Sequence, residues 1–406
     1  MSDEGSAGQR LRGNPLRLCA LRAMQMAMFP MAVLSVFLHQ HIELDVGEIM
    51  LLQAVFGLAV ALFEFPSGYL ADRIGYRRCL VLACLIWLIA WPIYGTASAW
   101  PQVVVAEFLL GIGLSLASGC DSALLYESLL ASGREADYPR WSGRQISAGQ
   151  IAEGGAALLA GWMFARSEAW PFFAQALASA VGLVIALSLV EPERERPDFG
   201  DSIGQARAMV RHALVDNRRL RALIGASVVL SLASYIPVWT IQLYALDAGL
   251  DPRGLGPMWA LANFSVAIAA LLGHRVLVRV GLPSVALGLT GLVVVGYLGL
   301  GLSHALFGFA FYYLLTLMRG AKQPIFDHRE QQLVTSRDRA GFVSLRSMVF
   351  RLGFLVVGPL IGWSVDRFGQ HGVMLGLAAS FALAGSIAAR GLARAELSAE
   401  PDRSAP

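Results

Sequence analysis

Ionisable side chains set inside apolar stretches are where this sequence could do chemistry. Glu64 precedes Phe65-Pro66, Asp121 follows Gly119-Cys120, and Glu153 precedes Gly154-Gly155. Arg319 and Lys322 share one later stretch, and Arg351 lies in the next. A charge in hydrocarbon is costly, so such residues face a partner or a water-filled cavity. Carboxylates and arginines in that setting can bind a charged molecule, take up and release protons, or pair statically. They make and break no bonds by themselves. No nucleophile–base constellation accompanies them, no phosphate-binding glycine loop with its lysine occurs, and no His/Cys/acid cluster has metal-ligand spacing. The sequence therefore reads as a non-enzyme with no cofactor and no metal. Cys19, Cys79, Cys84 and Cys120 read as small packing residues.

The elements that must position these charges are membrane helices. Of 406 residues, 56% are hydrophobic and 15% charged, against about 25% charged in soluble domains. Mean hydropathy is +0.57. That excludes a soluble enzyme, a disordered chain and a disulfide-stapled secreted scaffold. The net charge of +3 is too small for a nucleic-acid surface. A span needs about 20 apolar residues. The apolar pattern predicts twelve: 19–39, 47–71, 79–98, 101–127, 143–165 and 170–190, then 222–246, 255–273, 282–302, 304–327, 341–365 and 371–390. Glu107, near the outer end of the fourth, is expected to snorkel to water. Tyr235 and Trp239, at i and i+4 beside Pro237, could line a cavity and touch a substrate.

Composition changes at 191–221, where six acidic and seven basic residues fall among 31. This segment reads as a charged cytoplasmic linker, with a surface helix over 201–217 capped by Asp201 or Ser202. It separates an N-terminal six-helix bundle, 19–190, from a C-terminal one, 222–390. Residues 1–18 and 391–406 are tails. With the N-terminus inside, only Arg166, Arg253 and Arg367 fall on the outer side. Arg319, Lys322 and Arg351 lie within spans, and the other basic residues fall at inner loops, ends and tails. The positive-inside rule then places both termini in the cytoplasm. The halves also correspond. Each ends its fourth span with an acid, Glu127 or Asp327, and opens its fifth with an arginine, Arg144 or Arg346. Internal duplication of this kind puts a binding site between the repeats near the bilayer middle. It makes Asp121 with Arg319, and Glu64 or Glu153 with Arg351, plausible pairs. The expected fold is all-α, with twelve transmembrane helices in two pseudo-symmetric six-helix bundles.

Between spans two and three runs Gly68-Tyr69-Leu70-Ala71-Asp72-Arg73-Ile74-Gly75-Tyr76-Arg77-Arg78. Its glycines permit close helix approach and a tight turn, and Asp72 can meet a helix N-terminus or an arginine. This run resembles the loop signature of the major facilitator superfamily, departing at Tyr76, where a basic residue is usual. Glu64 to Asp72 also resembles a form common in facilitator sequences. Twelve spans, a charged central loop and internal termini extend the resemblance over most of the chain. It implies two bundles around a central cavity, and a latch of Gly68, Asp72, Arg73, Gly75, Arg77, Glu127 and Arg144 that breaks during cycling. Asp121 and Glu127 point about 120° apart on a helix, so Asp121 is assigned to the cavity and Glu127 to the latch, as a partner of Arg77. Glu64 serves either gating and pairing or direct proton and substrate binding.

The expected function is a secondary active transporter in the cytoplasmic membrane. It moves a small molecule by alternating access, with proton-coupled export preferred. Its partners would be a solute, a proton or other ion gradient, and the lipid bilayer, and the resemblance implies a monomer. An importer or uncoupled facilitator is the alternative within transport, and a transporter-like membrane receptor the alternative outside it.

Overall fold

The computed structural model describes residues 11–192, 202–277, 281–334 and 339–397. The rest of the expected N-terminal tail, linker and C-terminal tail, Asp201 included, lies outside the described residues, which hold helices and no strand. The first helices are α1, Asn14–Met26, and α2, Leu34–Gln40, joined by a 3-10 turn at Phe29–Ala32. Met28, at φ 48, and Pro30 divide the first span there, with a bend of 42°. Then come α3 (Val46–Ile74), α4 (Tyr76–Gly95), α5 (Trp100–Ala117), α6 (Cys120–Ala131), α7 (Tyr138–Arg166) and α8 (Trp170–Ser188). After α9 (Ser202–Arg211) and a π-turn at His212–Asp216 follow α10 (Arg218–Asp247), α11 (Leu255–Leu277) and α12 (Leu282–Leu302). The last are α13 (Tyr312–Leu333), α14 (Arg339–Phe368) and α15 (Gln370–Leu397).

Among the described residues nine helices are long and apolar enough to cross a membrane, or up to ten with the bent α1–α2 pair as one span. Two of the twelve expected spans, 143–165 and 304–327, fall on α7 and α13. Those helices have 29 and 22 residues, which is long enough, but they are too polar to meet the same standard of apolarity. The cause is their charge: α7 carries Arg140, Arg144, Glu153 and Arg166, and α13 carries Arg319, Lys322, Asp327, Arg329 and Glu330.

The chain separates into two compact units. One comprises Met1–Leu44, Leu51–Asp198 and Asp251–Ala260, the other Asp45–Met50, Phe199–Leu250 and Leu261–Pro406. In the first, α4 packs on α5 and α8, and α1 on α7 and α8. Its buried cluster includes Leu18, Leu21, Ala83, Leu124 and Leu189, and all four cysteines are buried and free. The start of α1 is tied to the end of α8. Asn14 Nδ2 donates to the Val190 carbonyl at 2.7 Å and to Ser128 Oγ at 2.8 Å, and Arg17 Nη1 donates to the Ser188 carbonyl at 2.7 Å. In the second unit α12 packs on α15, and α10 packs on α13, α14 and α15. Asn217 caps α10 by accepting from the Arg219 and Leu220 N–H groups at 3.0 and 3.1 Å.

Candidate functional site

Asp121 opens α6. The span Trp100–Ala131 breaks just before it at Gly119, whose φ of +78 is left-handed. A Cβ there would meet nothing within 4 Å, so the backbone angle and not space calls for glycine. Asp121 Oδ1 accepts from the Ser122 N–H at 2.7 Å. Its Oδ2 accepts from Gln145 Nε2 at 3.2 Å and lies 3.5 Å from Arg22 Nη1. Residues of α1, α6 and α7 thus converge on one carboxylate. Neither Arg22 nor Gln145 stood out in the sequence. Arg22 read as one inner arginine among many, and Gln145 had no motif around it.

Glu107 on α5 does not snorkel. It is 3% exposed, and its Oε1 accepts from Gln53 Nε2 at 2.8 Å and from the Tyr94 hydroxyl at 3.0 Å. Two donors from α3 and α4, themselves buried, supply what water would have supplied.

The loop between α3 and α4 is organised by an acid the sequence reading missed. Glu191, just past α8, accepts from the Tyr76 N–H at 2.9 Å and from the Arg77 N–H at 2.7 Å. These are the first orphan donors of α4, and the positive end of that helix favours the carboxylate. A lone acid between an apolar span and Pro192 was the available signal. Gly75, at φ 102 and ψ 152, makes the turn in a region that essentially only glycine occupies. Its Cβ would stand 3.0 Å from the Glu191 carboxylate. Gly75→Ala is therefore expected to cost about 1–3 kcal/mol, read as a lower thermal unfolding midpoint in detergent. An unchanged midpoint would show that neither turn nor cap limits stability.

Other residues of the expected latch are placed differently. The Arg77 guanidinium donates to the Leu187 carbonyl at 2.7 Å. Arg144 lies 4.8 Å over the Trp141 ring. Among the described residues no ion pair joins Glu127 to Arg77 or Arg144. Asp72 and Arg73 stand in the last turn of α3. A Cβ at Gly68 would meet nothing within 4 Å, so no close approach accounts for that glycine. Glu64 on α3 and Glu153 on α7 are partly buried.

In the second unit Arg346 of α14 meets two acids of α13. Its Nη1 lies 2.8 Å from Asp327 Oδ1 and 2.6 Å from Glu330 Oε1. The sequence placed Asp327 and Arg346 at corresponding repeat positions but passed over Glu330. Arg319 is partly buried on α13, and Arg351 Nε donates to Ser347 Oγ at 3.3 Å. Lys322 donates to the Ser227 carbonyl at 3.1 Å and to Ser231 Oγ. Trp239 is 3% exposed, and Tyr235 packs edge-on against Trp239, Phe350 and Phe354, with centroids 5.7, 5.3 and 4.9 Å away. A separate cavity of about 580 Å³, lined by Arg219, Arg329 and Glu396 among others, contains none of the expected site residues.

A family model of the Major Facilitator Superfamily matches residues 18–326, more than half of the chain. The chain belongs to this superfamily. Solved structures of the same fold include a mutant of the nucleoside transporter NupG, at 15% identity and a TM-score of 0.77, covering 94% of this chain and 99% of that one. A mutant of the peptide transporter POT is 13% identical with a TM-score of 0.74, covering 97% and 98%. A bacterial homolog of the human lysosomal transporter Spinster, inward-facing and unoccupied, is 15% identical with a TM-score of 0.69, covering 95% of each chain. The sequence comparison with curated proteins gives no match. At these identities the likeness carries the fold, not the solute. This facilitator is a transporter and not an enzyme.

Proposed function

We propose that this facilitator exports a small amphipathic or anionic molecule across the cytoplasmic membrane in exchange for protons. Twelve spans would form the two bundles 19–190 and 222–390, joined by the cytoplasmic linker 191–221. The bent α1–α2 pair and the polar helices α7 and α13 complete that count. Both termini would face the cytoplasm, and a monomer would rock between outward and inward access. Asp72 and Arg73 at the end of α3, with Arg77 at the α4 N-terminus that Glu191 caps, would latch the inner side.

The observation that carries the reading is the seat of Asp121. Its carboxylate lies at a helix break, 3.5 Å from Arg22 and within hydrogen-bond reach of Gln145. An amide side chain can accept from a carboxylic acid as well as donate to a carboxylate, so Gln145 can hold Asp121 in both states. A solute whose own donor replaced Arg22 at this carboxylate would hold the acid ionised, so solute and proton would exclude each other there, as exchange requires. Glu64, Glu153, Arg319 and Arg351 are the further charges assigned to this coupling, and Tyr235 and Trp239 to the solute.

The test is solute-driven proton movement in proteoliposomes, followed with a pH-sensitive dye while candidate solutes are screened. Asp121→Asn should reduce that movement at least tenfold, and Glu64→Gln should change its pH dependence. Solute and proton fluxes that survive both substitutions would overturn the reading. The closed Asp121–Arg22 pair also favours a second reading, an uncoupled facilitator in which these charges are structural. Solute flux without proton movement would establish it.

A further inference from the structure

Lys322 is the only lysine among the 406 residues. It lies eleven residues from the C-terminal end of α13 at Leu333, about 16 Å along the helix axis. Both of its partners, the Ser227 carbonyl and Ser231 Oγ on α10, are neutral. Among the described residues no carboxylate lies within ion-pair distance of it. The nearby acids, Asp327 and Glu330, are both held by Arg346. Arg319, three residues before Lys322 on the same helix, adds a second cation to this stretch. An ammonium carries three donor hydrogens, and among the described residues two acceptors meet it.

A second observation stands beside the first. Ser227 is 1% exposed, and its Oγ has no hydrogen-bond partner among the described residues. Helical serines commonly bond back to the carbonyl four residues earlier, as Ser132, Ser147 and Ser179 do in this chain. Ser227 does not, and a buried polar group left without a partner calls for one. The orphan hydroxyl thus belongs to the residue whose carbonyl accepts from Lys322, where α10 meets α13.

We propose that Lys322, Ser227 and Ser231 form the subsite for a carboxylate group of the transported solute, which is a monocarboxylate. A single ammonium matches a monoanion better than a phosphate dianion, and hydroxyl plus ammonium donors suit the two carboxylate oxygens. The proposal rests on the transport reading but not on proton coupling.

A chain with one lysine lets amine chemistry read the site directly. Reductive methylation of the full-length protein in lipid nanodiscs modifies Lys322 and the N-terminal amine, and the latter is the internal control. The probes are acetate, benzoate and octanoate, each with its matched primary amide, and inorganic phosphate. At least one carboxylate should slow methylation of Lys322 fivefold or more, with the N-terminal rate unchanged, while its amide and phosphate do not. Binding of the same probes, followed by tryptophan fluorescence, is the second measurement. It should weaken tenfold or more in Lys322→Met and severalfold in Ser227→Ala, and persist in Lys322→Arg. If the reagent cannot reach Lys322, this series decides alone. Protection by no carboxylate, equal protection by phosphate, or unchanged binding in Lys322→Met would each overturn the proposal. No proton flux is read, so a failure of coupling leaves this result standing.

Discussion

Replacing Arg346 by methionine should destabilise the second unit by about 3–5 kcal/mol, the cost of removing one partner from a buried ion pair. Arg346 Nη1 holds Asp327 at 2.8 Å and Glu330 at 2.6 Å, and the Glu330 side chain is 5% exposed. Without the guanidinium two carboxylates would face each other with little water between them. Asp327 is 34% exposed and recovers some solvation, so the loss falls mainly on Glu330. Adding Glu330→Gln to the methionine variant should therefore restore about half of the loss. Arg346→Lys should keep most of the stability, because one nitrogen makes both contacts and an ammonium can do the same. That differs from a forked arginine site, where lysine is a poor substitute. An SDS unfolding titration of the purified protein reads all three. A methionine variant within about 1 kcal/mol of wild type would show that the triad is solvated and energetically idle.

The second large effect is expected at Glu107. Glu107→Ala removes the acceptor of two buried donors, the Tyr94 hydroxyl and the Gln53 amide. Each buried donor left unsatisfied costs about 1–3 kcal/mol, and the missing side chain adds a cavity of about 1 kcal/mol, for a total of about 3–7 kcal/mol. Glu107→Gln keeps the accepting oxygen and the volume, and costs about 1–2 kcal/mol for the amide N–H left without an acceptor. The contrast between the two variants in the same titration is the check. Equal losses would mean that charge and not hydrogen bonding holds the site. No loss in the alanine variant would mean that the polar layer of α3, α4 and α5 has no structural role.

Fold class was legible because it rests on composition and on runs of apolar residues, both local properties. The Asp72–Arg77 loop was legible because its residues are neighbours in sequence. What acts on them was not. Glu191 reaches the α4 N-terminus across 114 residues, and Arg22 reaches Asp121 across the whole of α3, α4 and α5. No periodicity encodes such a pairing. The repeat argument has the same limit. It set Glu127 and Arg144 beside Asp327 and Arg346 by position, and positions set the helices but not the side-chain partners. In the second unit Arg346 meets Asp327, whereas in the first Arg144 stacks on Trp141. Glu107 was misread because its distance along the helix suggested water, while two neighbouring helices held donors for it. The two helices that fall short as apolar spans, α7 and α13, are also those carrying Glu153, Arg319 and Lys322. The polarity that weakens them as spans is the polarity a solute path needs.

The tie between the first and last helices of the first unit has a consequence in time. Asn14 and Arg17 leave the ribosome early, yet their carbonyl partners at Val190 and Ser188 come 176 and 171 residues later. The Tyr76 and Arg77 N–H groups likewise wait for Glu191. At about 5–20 residues per second, the wait for α1 is on the order of ten to thirty seconds. Through that interval α1 to α7 can be inserted in the membrane while this unit is still open at one end. Its closure is set by the arrival of α8 and not by α1, so a nascent chain arrested short of residue 190 should be held by insertion machinery or degraded, however complete its earlier helices are.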